Sequence, residues 1–315
     1  MGKMKAIVCT KYGPPEVLQL KEVEKPIPKD NEVLVKIYAT AVTASDCIVR
    51  GFKVPLLMKI PMALAVGFPK PRNPILGQVL AGEIETAGKD FKRFKRGDRI
   101  IAFTYMRFGT YAEYTCLPEK SAMALKPSNI TYEEAAAIPY GGMLALHNLK
   151  KGNIQSGQNI LIYGASGAIG TSAIQLARYF GAKVTGVCST ANLEFVKSLG
   201  ADEVIDYTKN DFAIEGELYD FIFDAVGKRK NSKFKVQCKK ALAPNGKYIS
   251  VDDGTPKTQA EDISEVLTLL KDLVEAEKIK PVIDRCYSLE QMVEAHQYVD
   301  KGHKKGNVVV TVNQK

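Results

Sequence analysis

The sequence has few of the residues that staple a chain or ligate a metal. Its six cysteines, Cys9, Cys47, Cys116, Cys188, Cys238 and Cys286, are scattered, and no CxxC pair occurs. That spacing argues against a disulfide framework and against a structural zinc site. Histidine is scarcer still: His147, His296 and His303 are the full set, and they lack clustered ligand spacing. Long hydrophobic runs are missing too. The longest, VPLLMKIPMALAVGF at residues 54–68, is interrupted by Lys59 and Pro61, and a bilayer span takes about 20 apolar residues. The start, MGKMKAIVC, reads as the edge of a strand and lacks the apolar core of a secretion signal. The expected location is cytoplasmic, with no membrane span.

What is present fits a globular protein. A length of 315 residues suggests two domains. Hydrophobic residues at 45% and charged residues at 25% allow a sizeable core. The formal net charge of +9 favours anionic ligands, nucleotides or nucleic acid, without choosing between them.

Up to about residue 125 the chain reads as strands and turns. EVLVKIYATAV alternates at Val33, Val35 and Ile37, the period of a half-buried strand. VLAGEIETAG, KRGDRIIAF and TYAEYTCLP follow, each bounded by Gly, Pro or Asp. From about residue 131 the pattern changes. TYEEAAAIPYGGMLALHNL reads as one helix, with Thr131 as N-cap and Glu134 completing a capping box. Strands then alternate with helices: NILIYG, AIGTSAIQLARYFG, KVTGVC, ANLEFVKSLG, EVIDY, FIFDAVG and KYISVD. Ile169, Ala173, Leu176, Ala177 and Phe180 share one helix face. Alternation of this kind predicts a doubly wound parallel sheet. The final helix and strand, LEQMVEAHQYVDKG and NVVVTV, are expected to return to the first domain.

The stretch YGASGAIG, residues 163–170, ends a predicted strand and opens a predicted helix. A helix N-terminus presents unpaired N–H groups and partial positive charge, which suit a pyrophosphate. Gly167 lets the backbone approach a ligand closely, and Gly170 lets helix and strand pack tightly. Ala165 holds the usual first-glycine position, so the string is a variant of GxGxxG. Residues Ala165, Ser166, Gly167, Ala168, Ile169 and Gly170 are therefore expected to cradle a dinucleotide.

The next strand end speaks to which dinucleotide. An NAD site places Asp or Glu there, about 20 residues along. Here Cys188, Ser189 and Thr190 stand at the end, and the first acid along the chain is Glu194. Hydroxyls and an amide suit a 2′-phosphate that a carboxylate would repel. NADP(H) is therefore the expected cofactor, held by Ser189, Thr190 and Asn192. Lys197 or Lys209 would supply positive charge.

These residues resemble the medium-chain dehydrogenase/reductase superfamily, and within it the zinc-independent, quinone oxidoreductase-like branch. The likeness covers nearly the whole chain, through KAIVCTKYGPPEVLQL, PILGQVLAGEIETAGKDFKRFKRGDRI, GTYAEYTCLPE, EEAAAIPYGGMLAL, LIYGASGAIGTSAIQLARYFGAKV, SLGADEVIDY, FDAVG and YVDKGHKKGNVVVTV. The resemblance implies a GroES-like β-rich catalytic domain over residues 1–125 and 281–315, and a Rossmann domain over 126–280. It implies NADPH in the cleft between them, a small-molecule quinone or enone substrate, and a homodimer. It adds Tyr207, Val226, Gly227 and Val251 to the cofactor set, with Thr43, Ser45 and Asp46 lining the cleft.

Zinc alcohol dehydrogenases of the superfamily ligate metal with a Cys and a His where this chain offers Thr43 or Ala44, and Gln78. None of these is a good zinc ligand, so no metal is expected. Without that Lewis acid, reduction of a quinone or α,β-unsaturated carbonyl is the easier reaction. Other residues common in zinc-free relatives are also replaced, by Thr43, Ile48 and Leu144. The proton donor is left open among Tyr105, Tyr111 and Tyr140.

Two alternatives stand beside this reading. One is an alkenal or enoyl double-bond reductase. The other is an NADPH-binding, nucleic-acid-associated regulator with little catalysis. The latter rests on KDFKRFKRGDR, which gathers Lys89, Lys92, Arg93, Lys95, Arg96 and Arg99 around Phe91 and Phe94. The apolar stretch at residues 52–73 reads as a substrate lid, a subunit patch or a packed helix and loop.

Overall fold

The computed structural model describes residues 2–209, 218–227, 233–253 and 260–313. The chain forms two compact units. One comprises Met1–Tyr140, Gln259–Asp272 and Ile283–Lys315, the other Gly141–Thr258 and Leu273–Val282.

In the first unit β1 (Lys3–Cys9) pairs antiparallel with β2 (Leu18–Glu24). Then come β3 (Glu32–Val42), α1 (Ala44–Gly51), α2 (Lys59–Val66), β4 (Val79–Ala87), β5 (Arg99–Phe103), β6 (Tyr114–Pro118) and β7 (Ala122–Leu125). Val33, Val35 and Ile37 do face a core with Leu80, Ile84, Ile100 and Leu117. The opposite face of β3 is buried as well, contrary to the half-buried expectation: Leu34 and Tyr38 are also inside. Tyr38 is covered because Tyr132 stacks on it at 4.4 Å.

The helix expected from residue 131 is in fact two, α3 (Tyr132–Ala136) and α4 (Pro139–Gly152). Proline disfavours helical backbone in the residue before it but suits a first helical position, so Pro139 ends one helix and opens the next. Thr131 and Glu134 form both halves of the capping box.

The second unit continues with β8 (Asn159–Tyr163), α5 (Ala168–Tyr179), β9 (Lys183–Cys188), α6 (Leu193–Ser198), β10 (Glu203–Asp206), β11 (Tyr219–Asp224), α7 (Lys233–Lys240) and β12 (Leu242–Ser250). Its sheet is wholly parallel, ordered β10-β9-β8-β11-β12. The chain winds outward from β8 through β9 to β10, then returns to the other side of β8 with β11. Such a reversal opens a crevice at the carboxyl ends of β8 and β11, where doubly wound sheets bind ligands. On α5, Ile169, Ala173, Leu176 and Ala177 are buried, as the helical spacing predicts, while Phe180 is half-buried.

After α8 (Ala260–Glu275), β13 (Ile283–Ser288), α9 (Met292–Asp300) and β14 (Asn307–Thr311) complete the first unit's sheet. Its order is β13-β14-β3-β4-β5-β7, with β6 also on β3. At 11 residues, β3 is long enough to pair β6 along its first half and β14 along its second.

Candidate functional site

The glycine loop lies at the end of β8. Gly164 has φ +82°, a left-handed conformation that favours glycine, and its amide bonds to the Val187 carbonyl at 3.1 Å. A Cβ there would meet Val226 at 2.6 Å, in the loop after β11. A Cβ on Gly170 would come within 2.7 Å of the Ala165 Cα. Gly170 is thus required by the close passage of α5 over the loop. Gly167 differs. A Cβ there would find only the Gly164 carbonyl oxygen, at 3.6 Å, an ordinary contact. Gly167 is also the N-cap of α5 and offers no side chain to it. The first-turn amides of Ala168, Ile169 and Gly170 therefore lack a side-chain cap, the arrangement that binds an anion.

Beside this loop stands the end of β9. Asn192 Nδ2 donates to Ser166 Oγ at 3.3 Å and to Ser189 Oγ at 3.2 Å. The structure thus brings together one glycine-loop residue and two of the three strand-end residues. Asn192 Oδ1 is buried with no hydrogen-bond partner among the described residues. Thr190 faces elsewhere: its hydroxyl donates to Asp206 Oδ2 at 2.5 Å. Thr208 Oγ1 and its amide donate to the other carboxylate oxygen, at 2.6 and 2.9 Å. The Thr190 and Thr208 hydroxyls hold the Asp206 carboxyl below its usual range. The expectation of a strand end free of carboxylate is therefore corrected. No acid follows β9 directly in the chain, but sheet pairing sets Asp206 of β10 opposite Cys188 of β9.

The loop after β11 is organised by Asp224, which sequence reasoning did not single out. Its Oδ1 accepts the amides of Val226 at 3.0 Å and Gly227 at 2.9 Å. Its Oδ2 accepts the Tyr248 hydroxyl and pairs with Lys235, both at 2.9 Å. Lys235 also donates to the Gly227 carbonyl. Gly227 has φ +68°, and the Val251 amide bonds to the Asp224 carbonyl at 2.9 Å. The loops after β11 and β12, which carry Val226, Gly227 and Val251, are thus joined at Asp224, and Val226 lies against Gly164 of the glycine loop. The half-buried Tyr207 sets its ring edge-on to Tyr163 at 6.2 Å. The available sequence signal for Asp224 was an Asp that ends an apolar run with Gly three residues on, in the string FDAVG.

Thr43, Ser45 and Asp46 lie in the first unit. Thr43 caps α1 and shares a capping box with Asp46. The Asp46 carboxylate accepts Thr43 Oγ1 at 2.6 Å and the Thr43 amide at 2.8 Å. Ser45 is half-buried in the same turn. Burial pushes the Asp46 carboxyl up to about 6 against those hydrogen bonds. Tyr111 is fully buried, and burial together with the nearby Asp46 charge pushes its phenol well up. Its hydroxyl stands beside the Asp46 carboxylate.

Tyr105 and Tyr140 are half-buried, and both flank Phe103, at 4.4 and 6.4 Å between rings. Tyr105 is held at φ +51°, uncommon for a bulky residue and typical of functional turns. The amide of Gln78 donates to the Tyr105 carbonyl at 3.1 Å. Gln78 Oε1 is buried and without a partner among the described residues. The same residues contain no group of three His, Cys, Asp or Glu side chains suited to a metal ion.

Both rings of the basic stretch pack on the core of the first unit. Phe91 is buried in the core and Phe94 packs against it. Arg93 is engaged by the carbonyls of Glu119, Ser121 and Met123.

Two family profiles match this chain. One, described as an alcohol dehydrogenase GroES-like domain, covers residues 29–127. The other, described as a zinc-binding dehydrogenase, covers residues 199–310. The chain is 35% identical over 329 residues to the 2-methylene-furan-3-one reductase of Solanum lycopersicum, spanning 98% of this chain and 79% of that protein. It is 33% identical to an NADPH-dependent alkenal/one oxidoreductase of Arabidopsis thaliana, with the same coverage. The solved structure of a quinone oxidoreductase from Coxiella burnetii matches with a TM-score of 0.84 and 27% identity, covering 99% of this chain and 100% of that one. A GroES-like unit with a Rossmann parallel sheet defines an oxidoreductase of the dehydrogenase/reductase class. The chain belongs to the medium-chain dehydrogenase/reductase superfamily, in its quinone oxidoreductase-like branch.

Proposed function

We propose that the chain is an NADPH-dependent reductase of conjugated carbonyls, enones, enals or quinones, working without a metal ion. The observation that carries this reading is Gly167. The protein itself leaves room for a side chain there, so the position is small for a ligand that meets the uncapped start of α5. The amides of Ala168, Ile169 and Gly170 would hold the diphosphate, with Ala165 and Ser166 shaping the loop. Ser189 and Asn192 would hold the 2′-phosphate, while Thr190 positions that turn through Asp206. Val226, Gly227, Val251 and Tyr207 complete the cofactor surface.

When bound, NADPH supplies a hydride to the carbon β to the carbonyl. The carbonyl oxygen then gains negative charge, which hydrogen-bond donors neutralise. Tyr105 is the proposed donor, because it is half-buried in a strained turn that Gln78 pins. Two relatives are named for enone or alkenal substrates, which supports this acceptor class. The metal-free reading is supported by the side chains at the ligand positions: Thr43 is committed to Asp46, and Gln78 to Tyr105.

The test is turnover of NADPH and NADH against an enone, a quinone and a simple aldehyde, with and without chelator. NADPH with the enone or quinone is expected to be fastest, and indifferent to chelator. Turnover of the simple aldehyde alone, or its loss with chelator, overturns the proposal.

A further inference from the structure

The segment after α1 carries an apolar surface that the proposed chemistry does not use. In α2, Met62 and Val66, four residues apart, pack on the core cluster that holds Val49, Leu76 and Tyr111. The opposite side of the helix is apolar as well. Ile60 is 74% exposed and Leu64 72%. The short turn before α2 adds Leu56 at 82% and Leu57 at 88%, and Phe68 follows it at 69%. A helix apolar all round is ordinarily buried all round. Here only one side has a partner. Single-chain proteins rarely expose contiguous apolar patches beyond a few hundred Å², and larger ones mark interaction sites.

The backbone beneath these side chains is anchored. Tyr12 Oη donates to the Gly67 carbonyl at 2.7 Å, and the Arg72 amide to the Val66 carbonyl at 2.7 Å. The Arg72 guanidinium donates to the Leu64 carbonyl at 3.0 Å. Phe68 meets Phe52 at 5.8 Å between rings, and Phe52 meets Tyr12 at 4.7 Å.

Charge selects the occupant. From residue 47 to residue 82 the sequence contains no Asp or Glu. The same stretch carries Arg50, Lys53, Lys59, Lys70 and Arg72. Arg50 is buried and paired with Asp300, which the exposed Lys53 also reaches at 3.5 Å, and Lys59, Lys70 and Arg72 are exposed beside the apolar side chains. A two-fold contact between copies of this chain would oppose these cations to one another with no carboxylate from the segment between them. An anionic phospholipid surface complements both features. Phosphates take the cations, and the acyl boundary takes Leu56, Leu57, Ile60, Leu64 and Phe68. No helix among the described residues is long and apolar enough to cross a membrane, so attachment would be peripheral.

We propose that the apolar face of residues 54–68, with Lys59, Lys70 and Arg72 beside it, docks the protein on anionic phospholipid membranes. This does not depend on the reductase reading. The full chain is to be sedimented with vesicles of phosphatidylglycerol and phosphatidylcholine, and with vesicles of phosphatidylcholine alone. Binding is expected to the anionic vesicles and to weaken with salt. Neutralising Lys59, Lys70 and Arg72 to Gln is expected to weaken it roughly a hundredfold. The L57Q/L64Q variant is expected to lose at least about tenfold while its melting temperature holds, since both side chains are already exposed. Equal binding to both vesicle types, or no binding to either, overturns the proposal. So does a lipid-free dimer in solution that L57Q/L64Q dissociates, because the face would then belong to a second copy.

Discussion

A Cβ added at Gly170 would press on the Ala165 Cα at 2.7 Å, whereas one added at Gly167 meets a single carbonyl oxygen at 3.6 Å. The two positions should therefore fail differently. Gly170→Val is expected to destabilise the fold by on the order of 3 kcal/mol through overpacking. Gly167→Ser supplies a favoured N-cap, so its melting temperature should hold or rise. Its hydroxyl would compete for the amides a diphosphate needs, and NADPH affinity should fall at least about tenfold. Thermal melts and NADPH fluorescence titrations separate the two effects. An unchanged NADPH affinity in Gly167→Ser would remove the main support for the cofactor site. Asp206 makes a second prediction. Its carboxylate is anionic and linked to Thr190, beside the place proposed for a 2′-phosphate. Asp206→Asn should strengthen NADPH binding about fivefold, the order of one screened charge contact, and leave NADH nearly unchanged. Calorimetric titration with both cofactors decides it, and equal gains for both would show that no phosphate sits near. The glycine loop was legible in sequence because its contacts are local. Asp206 was not, because 16 residues separate it from Thr190 and only the pairing of β9 with β10 joins them.

Among the elements, the alternation in β3 located the strand but missed its second buried face, since Tyr132 reaches Tyr38 only once α3 has folded over the sheet. Likewise the capping box at Thr131 was readable, but the break at Pro139 divided what periodicity alone made continuous. The packing of α1 on α9 was invisible in the sequence and sets a pH dependence. Arg50 of α1 is fully buried and pairs with Asp300 of α9 at 2.6 Å. Its guanidinium lies 3.0 Å from His296 Nδ1, and Cys47 Sγ is 3.4 Å from the same nitrogen. Burial, and then the Arg50 charge, push His296 down to about 3. A histidine depressed in the fold favours the unfolded chain as pH drops below its free value, so stability falls from about pH 6.5 downward. Asp46 opposes this. Its folded value near 6 lies above the free one of 3.8, so its contribution is present at low pH and fades as pH rises through about 6. Asp46→Asn removes the opposing slope. Its urea midpoint should therefore drop more steeply between about pH 6.5 and 4 than that of the wild type. A shallower drop would reverse the assignment.

For the molecule as a whole, alternation of strand and helix after residue 150 was sufficient to foresee a parallel sheet, because each strand–helix repeat carries its own local signal. The seven-stranded sheet of the first unit was less legible, because β14 joins β3 across more than 260 residues of chain. Fold alone does not decide whether such a protein uses metal, since the same architecture supports both chemistries and the side chains at the site choose. Here Thr43 caps a helix, and Gln78 pins a turn. His296, the most buried histidine, is enclosed by Arg50, Cys47 and Tyr111, where a cation would face the guanidinium. Reduction of an enone by NADPH should therefore stay within about twofold of its rate after prolonged chelation, and added zinc should not raise it, because the described residues offer no cluster of three His, Cys, Asp or Glu ligands. Metal analysis of the purified chain, run beside the rate measurement, should find far less than one equivalent. A rate that collapses on chelation and returns with zinc would mean that Gln78 or Thr43 ligates after all, and the capping and turn contacts assigned to them would have to break in the working enzyme.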